Sequence, residues 1–352
     1  MSHHTFASDN YAGAHPEVLV ALAAANTGHA RAYGADQWTH RLQDVIKTHF
    51  GDQATATPVF NGTGANVVAL TSMLPRWGAV ITSRYAHIHN DENGAPERVG
   101  GMKLLTVDAP DGKLTPVAID EHAWGWGDQH RAQPLVVSIT QSTELGTVYS
   151  PAEVRAITDH AHALGMRVHM DGARLANAAA YLGVPLAAIT TDVGVDVLSF
   201  GGTKNGLVFG EAVIALDPAA VEGIDYVRKM TMQLSSKMRF VSAQLLALLD
   251  DDLWLRSASH ANAMASRLRS GLEELIAAGR APGLAFTQET QANGVFAVLP
   301  RAAVEPLRDR FSFYDWNASR GEVRWMCSFD TTERDVDAFV AAVGDELDPR
   351  GA

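Results

Sequence analysis

One amine in this chain stands where a nucleophile could be made. Lys204 follows the apolar run Val195-Asp-Val-Leu-Ser-Phe200 and is framed by Gly201, Gly202 and Gly206. A lysine at the end of a buried strand is desolvated, and desolvation favours the neutral, nucleophilic amine. A second apolar run, Met166-Arg-Val-His-Met, ends in Asp171, which puts a carboxylate at another strand end. The third feature is Asn61-Gly62-Thr63-Gly64-Ala65-Asn66. There a strand end and a helix start present free amides, a hydroxyl and the positive helix end to a phosphate. The Gly-Lys-Ser/Thr of a nucleotide P-loop is missing, so a phosphate bound here belongs to a smaller ligand. Taken singly, each feature has a plainer reading as a surface lysine or an ordinary glycine turn.

Together the three meet the requirements of pyridoxal 5'-phosphate (PLP). The lysine amine forms a Schiff base with the cofactor's aldehyde, and an ionised carboxylate keeps the pyridine nitrogen protonated so that the ring withdraws electrons. An amino-acid substrate also needs its carboxylate held, for which a planar guanidinium such as Arg174 or Arg324 is apt.

The elements that must position these groups follow from composition and punctuation. The 352 residues, 47% hydrophobic and only 19% charged, suffice for a large core and predict a major domain with a smaller one. A net charge of -12 argues against nucleic acid or an anionic membrane as partner. A single cysteine, Cys327, leaves no disulfide framework or multi-cysteine metal site and suits a reducing cytoplasm. No segment reaches the roughly 18 uninterrupted apolar residues of a membrane span, and the N-terminus lacks a basic start followed by an apolar core. Residues 1–14 read as an N-terminal arm. Helical patterns follow over 16–25 and 37–50, with the loop around Tyr33 and Gly34 between them. Ser150-Pro151-Ala152-Glu153 predicts a capped helix start between the strand at 135–140 and that at 166–171. Strand and helix alternate to about residue 216, which predicts an α/β architecture with a mostly parallel sheet over 15–248 and ligands at its carboxyl edge. Residues 249–352 read as a small α+β domain with strands at 294–299 and 323–328 and a terminal helix from Glu333.

His169-Met-Asp171-Gly-Ala-Arg174 and Ser199-Phe-Gly-Gly-Thr-Lys204-Asn-Gly206 resemble the aspartate and Schiff-base segments of the L-threonine aldolases, fold-type I PLP-dependent enzymes. The likeness extends over nearly the whole chain, through Phe6-Ala-Ser8-Asp9-Asn10, Tyr33-Gly34, the Gly62-Thr63 turn, Ala86-His87, and Val227-Arg-Lys229-Met to Arg239. The resemblance implies that Lys204 carries the cofactor, that Asp171 pairs with its ring nitrogen and that His87 stacks on its face. It implies Gly62, Thr63 and Arg239, with Lys229, as phosphate ligands, and Ser8, Arg174 and Arg324 at the substrate carboxylate, with Tyr33 also on the substrate side. The implied reaction is retro-aldol cleavage of threonine or allo-threonine to glycine and an aldehyde. A homodimer or homotetramer with active sites completed across the dimer interface is implied too.

The base that takes the β-hydroxyl proton is where the sequence departs from this pattern. Many bacterial relatives carry a histidine in the loop that here reads Gln141-Ser-Thr143-Glu144-Leu-Gly146, and Glu144 takes its place. His87, His89 and Glu92 are further candidates. Alternatives are a phenylserine aldolase preferring β-aryl serines, and another PLP β-eliminating lyase or an aminotransferase. More distant is a metal-dependent hydrolase, since His87 and His89 would point the same way on a strand, or a non-catalytic binding protein. His160 and His162, two apart in a helical pattern, fall on opposite sides and add nothing to a metal centre.

Overall fold

A computed structural model describes residues 5–348; the first four residues of the expected arm lie outside the described residues. Seven strands form the large sheet: β1 (Thr55–Val59), β2 (Gly78–Ser83), β3 (Lys103–Val107), β4 (Gln133–Thr140), β5 (Arg167–Gly172), β6 (Val197–Gly201) and β7 (Glu211–Ala215). Their order is β1-β7-β6-β5-β4-β2-β3. Every pair from β3 to β6 is parallel, whereas β7 runs antiparallel to both β6 and β1. The direction of β7 has a simple cause. The connection 202–210 is shorter than the dozen or so residues a parallel crossover needs, so the chain must turn straight back. β1 and β6 therefore point the same way, and the carboxyl ends of β1, β4, β5 and β6 share one edge.

Both faces of this sheet are covered, which is why its strands read as continuous apolar runs. All six residues of β2 and all five of β7 are buried. On one face, Val59, Val197 and Val213 pack with Ala65, Val68 and Ala69 of the helix Gly62–Met73. On the other, Leu198, Phe200 and Ile214 join Leu42, Ile46 and Phe50 of the helix Gln37–Phe50. Each of the valine, leucine, isoleucine and phenylalanine side chains contributes about 1.5–3 kcal/mol by leaving water. The helix Pro151–Ala163 begins with the expected reciprocal cap between Ser150 and Glu153.

A four-stranded antiparallel sheet follows, built from β8 (Ala285–Phe286), β9 (Gly294–Val298), β10 (Tyr314–Asn317) and β11 (Glu322–Met326) in the order β10-β11-β9-β8. The helix Leu253–Ala277 spans both cores: Leu253, Trp254 and Ala258 belong to the first, and Met264, Leu268 and Leu272 to the second. Phe6 is buried in the second core against Phe339, with ring centroids 4.7 Å apart, and the Met326 amide donates to the Phe6 carbonyl. The N-terminal segment is thereby fastened to the small sheet, which brings Ser8, Asp9 and Asn10 toward the carboxyl edge of the large one. Among the described residues, no helix is long and apolar enough to cross a membrane.

Candidate active site

β6 ends at Gly201, and the chain tightens into the 3-10 turn Thr203–Asn205 that carries Lys204. Gly206 closes the turn at φ +99°, where a Cβ would also collide with the His15 ring. At the neighbouring strand ends, β5 delivers Asp171 and β1 leads through Asn61 into the helix Gly62–Met73. The Asn61 side chain caps that helix by accepting from the Gly64 amide at 2.7 Å. Gly62 and Thr63 stand in the first turn, where amides have no intrahelical acceptor. These elements enclose a cavity of about 220 Å³ lined by Gly62, Thr63, His87, Asp171, Lys204 and Glu211, among others.

Burial lowers the pKa of Lys204, and repulsion from Arg174 lowers it further, against the attraction of Asp9, Asp171 and Glu211. Asp171 accepts from the Ala173 amide at 3.0 Å and from Asn66 Nδ2 at 2.8 Å. The same Asn66 nitrogen donates to Glu92 Oε1 at 2.8 Å, which also receives His87 Nδ1 at 2.8 Å. His87 is thus tied through Glu92 and Asn66 to Asp171. The hydrogen bond to Glu92 raises the His87 pKa and outweighs the opposing effect of burial.

The remaining carboxyl groups divide by their partners. Asp9 receives a two-pronged contact from Arg174, Nε at 2.7 Å and Nη2 at 2.8 Å, and a third bond from Asn293 Nδ2 at 3.0 Å. Burial alone would raise its pKa, but the Arg174 charge and these bonds hold it down at about 2. Glu144 Oε1 accepts from the His87 amide at 2.7 Å and from Thr140 Oγ1 at 2.9 Å, while its Oε2 is buried without a partner. Burial, reinforced by the Asp171 charge, pushes the Glu144 pKa up to about 7. Arg324 is the complement of Arg174. Its Nε is buried and unpaired, and its Nη2 makes only a 3.4 Å contact to the Ala7 carbonyl. Arg174, Arg324 and Glu144 line a narrow cleft of their own.

The fold therefore gathers Lys204, Asp171, Gly62, Thr63 and His87 around one cavity, ties Glu92 to His87, and sets Arg174, Arg324 and Glu144 in the narrow cleft. Ser8 serves its own segment, accepting from the Asn10 amide at 3.2 Å, and it is Asn10 that lines the cavity. Three residues implied for the site do not line it in their own chain. Lys229 lies 5.4 Å from the exposed Tyr33 ring, and Arg239 donates to the carbonyls of Thr27 and Gly28. The paired orientation of His87 and His89 is corrected: both lie on the helical turn His87–Asn90 rather than on a strand, and His89 faces a different cavity beside Tyr85 and Trp316. Among the described residues, no group of three or more His, Cys, Asp or Glu is arranged to hold a metal ion.

Four polar residues around the site go beyond the sequence reading. Asp9 and Asn66 stand inside stretches that carry the family resemblance, so a signal was present. Asn293 carries none, because its partner Asp9 lies at the other end of the chain, and Glu211 reads as an ordinary strand residue until the reversal of β7 sets it against the Gly202 and Thr203 amides.

The cavity suits PLP on its own terms. Helix-start amides stand beside a space that a Cβ on Gly62 would leave open, a carboxylate and an amine line the same cavity, and the Arg324 guanidinium nearby keeps a buried, unpartnered Nε. Residues 5–299 match the beta-eliminating lyase family. Low specificity L-threonine aldolases of Pseudomonas sp. and Pseudomonas aeruginosa are 45% and 47% identical to this chain, covering 96% and 94% of it and 96% and 95% of their own lengths. The structure of Leishmania major threonine aldolase matches with a TM-score of 0.90 at 29% identity, over 98% of this chain and 99% of that one. With the site's geometry and matches that run nearly end to end, the chain belongs to the beta-eliminating lyase family, in its L-threonine aldolase group.

Proposed function

We propose that this enzyme cleaves β-hydroxy-α-amino acids of the threonine and allo-threonine type to glycine and an aldehyde. PLP is the cofactor of its family. The observation that carries the reading is the convergence of a desolvated amine, a strand-end carboxylate and a helix start in one cavity. Bound there, PLP supplies an aldehyde for an amine to condense with and an electron-withdrawing ring to stabilise the carbanion left at Cα.

The chain's residues do the rest. Lys204 provides the amine, and Asp171, held by the Ala173 amide and Asn66, is the carboxyl group that meets the ring nitrogen. The amides of Gly62 and Thr63 and the Thr63 hydroxyl receive the phosphate. His87, oriented by Glu92, covers the ring face. Arg324, with its buried and unpaired Nε, binds the substrate carboxylate together with the remaining face of Arg174 and with Ser8. We assign the β-hydroxyl proton to Glu144. Its free Oε2 and its pKa of about 7 suit a group that must accept a proton near neutrality and return it. Glu92 also keeps an unpartnered Oε2 but lies behind His87 and outside the cleft that Glu144 shares with Arg174 and Arg324, and His89 faces a different cavity.

Lys229 and Arg239 are read as serving a second copy of the chain. They stand near Tyr33, Met230 and Met232, which are 53%, 67% and 75% exposed, a surface suited to burial in a homodimer or a tetramer of dimers. The acidic charge and lone cysteine support a cytoplasmic enzyme that binds neither nucleic acid nor membrane.

The test is borohydride reduction of the protein loaded with PLP, followed by peptide mapping, alongside aldehyde release from threonine without added keto acid. A pyridoxyl group on Lys204 and stoichiometric glycine and aldehyde are expected. Trapping on another residue, or release that depends on a keto acid, overturns the reading. Comparing threonine, allo-threonine and phenylserine in the same assay ranks the substrates.

A further inference from the structure

The cavity holds a second carboxyl group besides Asp171. Glu211 is the first residue of β7, level in register with Gly201 at the end of β6 and Val59 at the end of β1. The reversal of β7 thus carries an acidic side chain back to the carboxyl edge, to the point where the chain leaves β6 for the lysine turn. Glu211 is 7% exposed. Its Oε2 accepts from the Gly202 amide at 2.5 Å, and its Oε1 lies 3.4 Å from the Thr203 amide. Those two amides immediately precede Lys204, and Glu211 and Lys204 line the same cavity. Such a carboxyl group adds little as a hydrophobic filler and is costly to bury unless it is used.

We propose that Glu211 is a positioning and proton-holding residue for Lys204: it anchors the amides of the lysine's turn and takes up the ammonium proton when the lysine becomes a free amine. The proposal rests on Lys204 being the residue that captures the cofactor aldehyde. The proton accounting closes. One ammonium proton passes to Glu211, and the freed nitrogen pair attacks the aldehyde carbon. The carbonyl oxygen then leaves as water with that proton and a second one from the nitrogen, which restores the carboxylate and leaves one proton on the new carbon–nitrogen double bond. Burial pushes the Glu211 pKa up to about 7 against the lowering effects of Thr203, the Gly202 amide and Lys204, so the group can exchange a proton near neutrality. The other titratable and charged groups acting on Lys204 include Arg174, Asp9, Asp171 and His87. Asp9 is bound to Arg174 and Asn293, and Asp171 to Asn66 and the Ala173 amide, whereas Glu211 is bonded to the amides of the lysine's own turn, which places it to exchange a proton with that residue.

The experiment separates covalent capture from binding. Apo-protein is mixed with PLP, and the rate of capture is followed by absorbance from pH 6 to 9. Affinity is measured in parallel for 4'-deoxypyridoxine 5'-phosphate, which has no aldehyde. Glu211→Gln keeps an acceptor for the Gly202 amide but cannot take a proton. It is expected to slow capture at pH 7 by about 10²-fold, at the lower end of proton-transfer effects, with analogue affinity within about threefold of the parent. In Glu211→Ala, added formate is expected to restore capture and formamide is not. Unchanged capture in Glu211→Gln overturns the proposal, as do parallel losses of capture and analogue affinity or equal rescue by formamide. Failure of the parent protein to trap PLP on Lys204 would overturn the functional reading itself, a separate result.

Discussion

The two ends of β5 and β6 both carry clusters of charge, and they are built oppositely. At the amino end, Asp196 is buried with every oxygen employed: Oδ2 accepts from the Val168 amide at 2.6 Å and from His162 Nε2 at 2.8 Å, and Oδ1 from Arg167 Nη1 at 3.0 Å. Arg167 also reaches Asp217 at 3.0 Å. At the carboxyl end, Asn66 Oδ1, Glu92 Oε2, Glu144 Oε2 and Arg324 Nε are buried without partners. Buried polar atoms without partners cost free energy, so a site that keeps several of them is organised around a ligand. The amino-end cluster clamps strands; the carboxyl-end cluster is prepared for something the chain does not supply. Number of charges does not distinguish the two, but satisfaction does.

The contrast is open to direct attack. Lys204→Ala should leave the fold and melting behaviour intact while lowering retro-aldol activity by ~10⁴-fold or more, the scale of losing a nucleophile; steady-state rates and thermal melts on the same sample test both halves. At the opposite end, Asp196→Ala should cost about 3 kcal/mol in urea denaturation by breaking a buried ionic cluster, with kcat/KM unchanged in the surviving folded enzyme. A large kinetic effect of Asp196→Ala would erase the distinction between the ends.

Smaller effects sharpen it. Arg324→Lys keeps the charge but loses the planar fork, and KM for the amino acid should rise about 10- to 100-fold, the equivalent of one or two charge-assisted hydrogen bonds. The Glu144 proton gives a pH signature. Its folded pKa of about 7 lies above the ordinary glutamate value of 4.5, so its contribution to stability is fully present below the latter and is lost as pH rises through the former. Glu144→Gln should therefore flatten the stability profile between pH 5 and 8 by about 1–2 kcal/mol; an unchanged slope would mean that the carboxyl group is already ionised at pH 5. Smallest of all, His162→Ala should cost under about 1 kcal/mol, since its ring is partly exposed and Asp196 keeps its other partners.

Local patterns in the chain were enough for most of this layout. The run ending at Phe200, the run ending at Asp171 and the Gly-Thr-Gly helix start are each written in consecutive residues, because strand burial, helix capping and glycine turns act over a few positions. They located Lys204, Asp171, Gly62 and Thr63, and the α/β class followed from their alternation. The tertiary structure decided what consecutive residues cannot encode. The antiparallel course of β7 brings Glu211 to the lysine turn, and the fastening of Phe6 to the small sheet lets Asp9 meet Arg174 and Asn293. A helical turn in place of a strand sends His87 and His89 to different cavities. Whether a buried polar atom is satisfied depends on partners well outside its own element, and it is that satisfaction, more than residue type, that separates the clamped end of these strands from the reactive one.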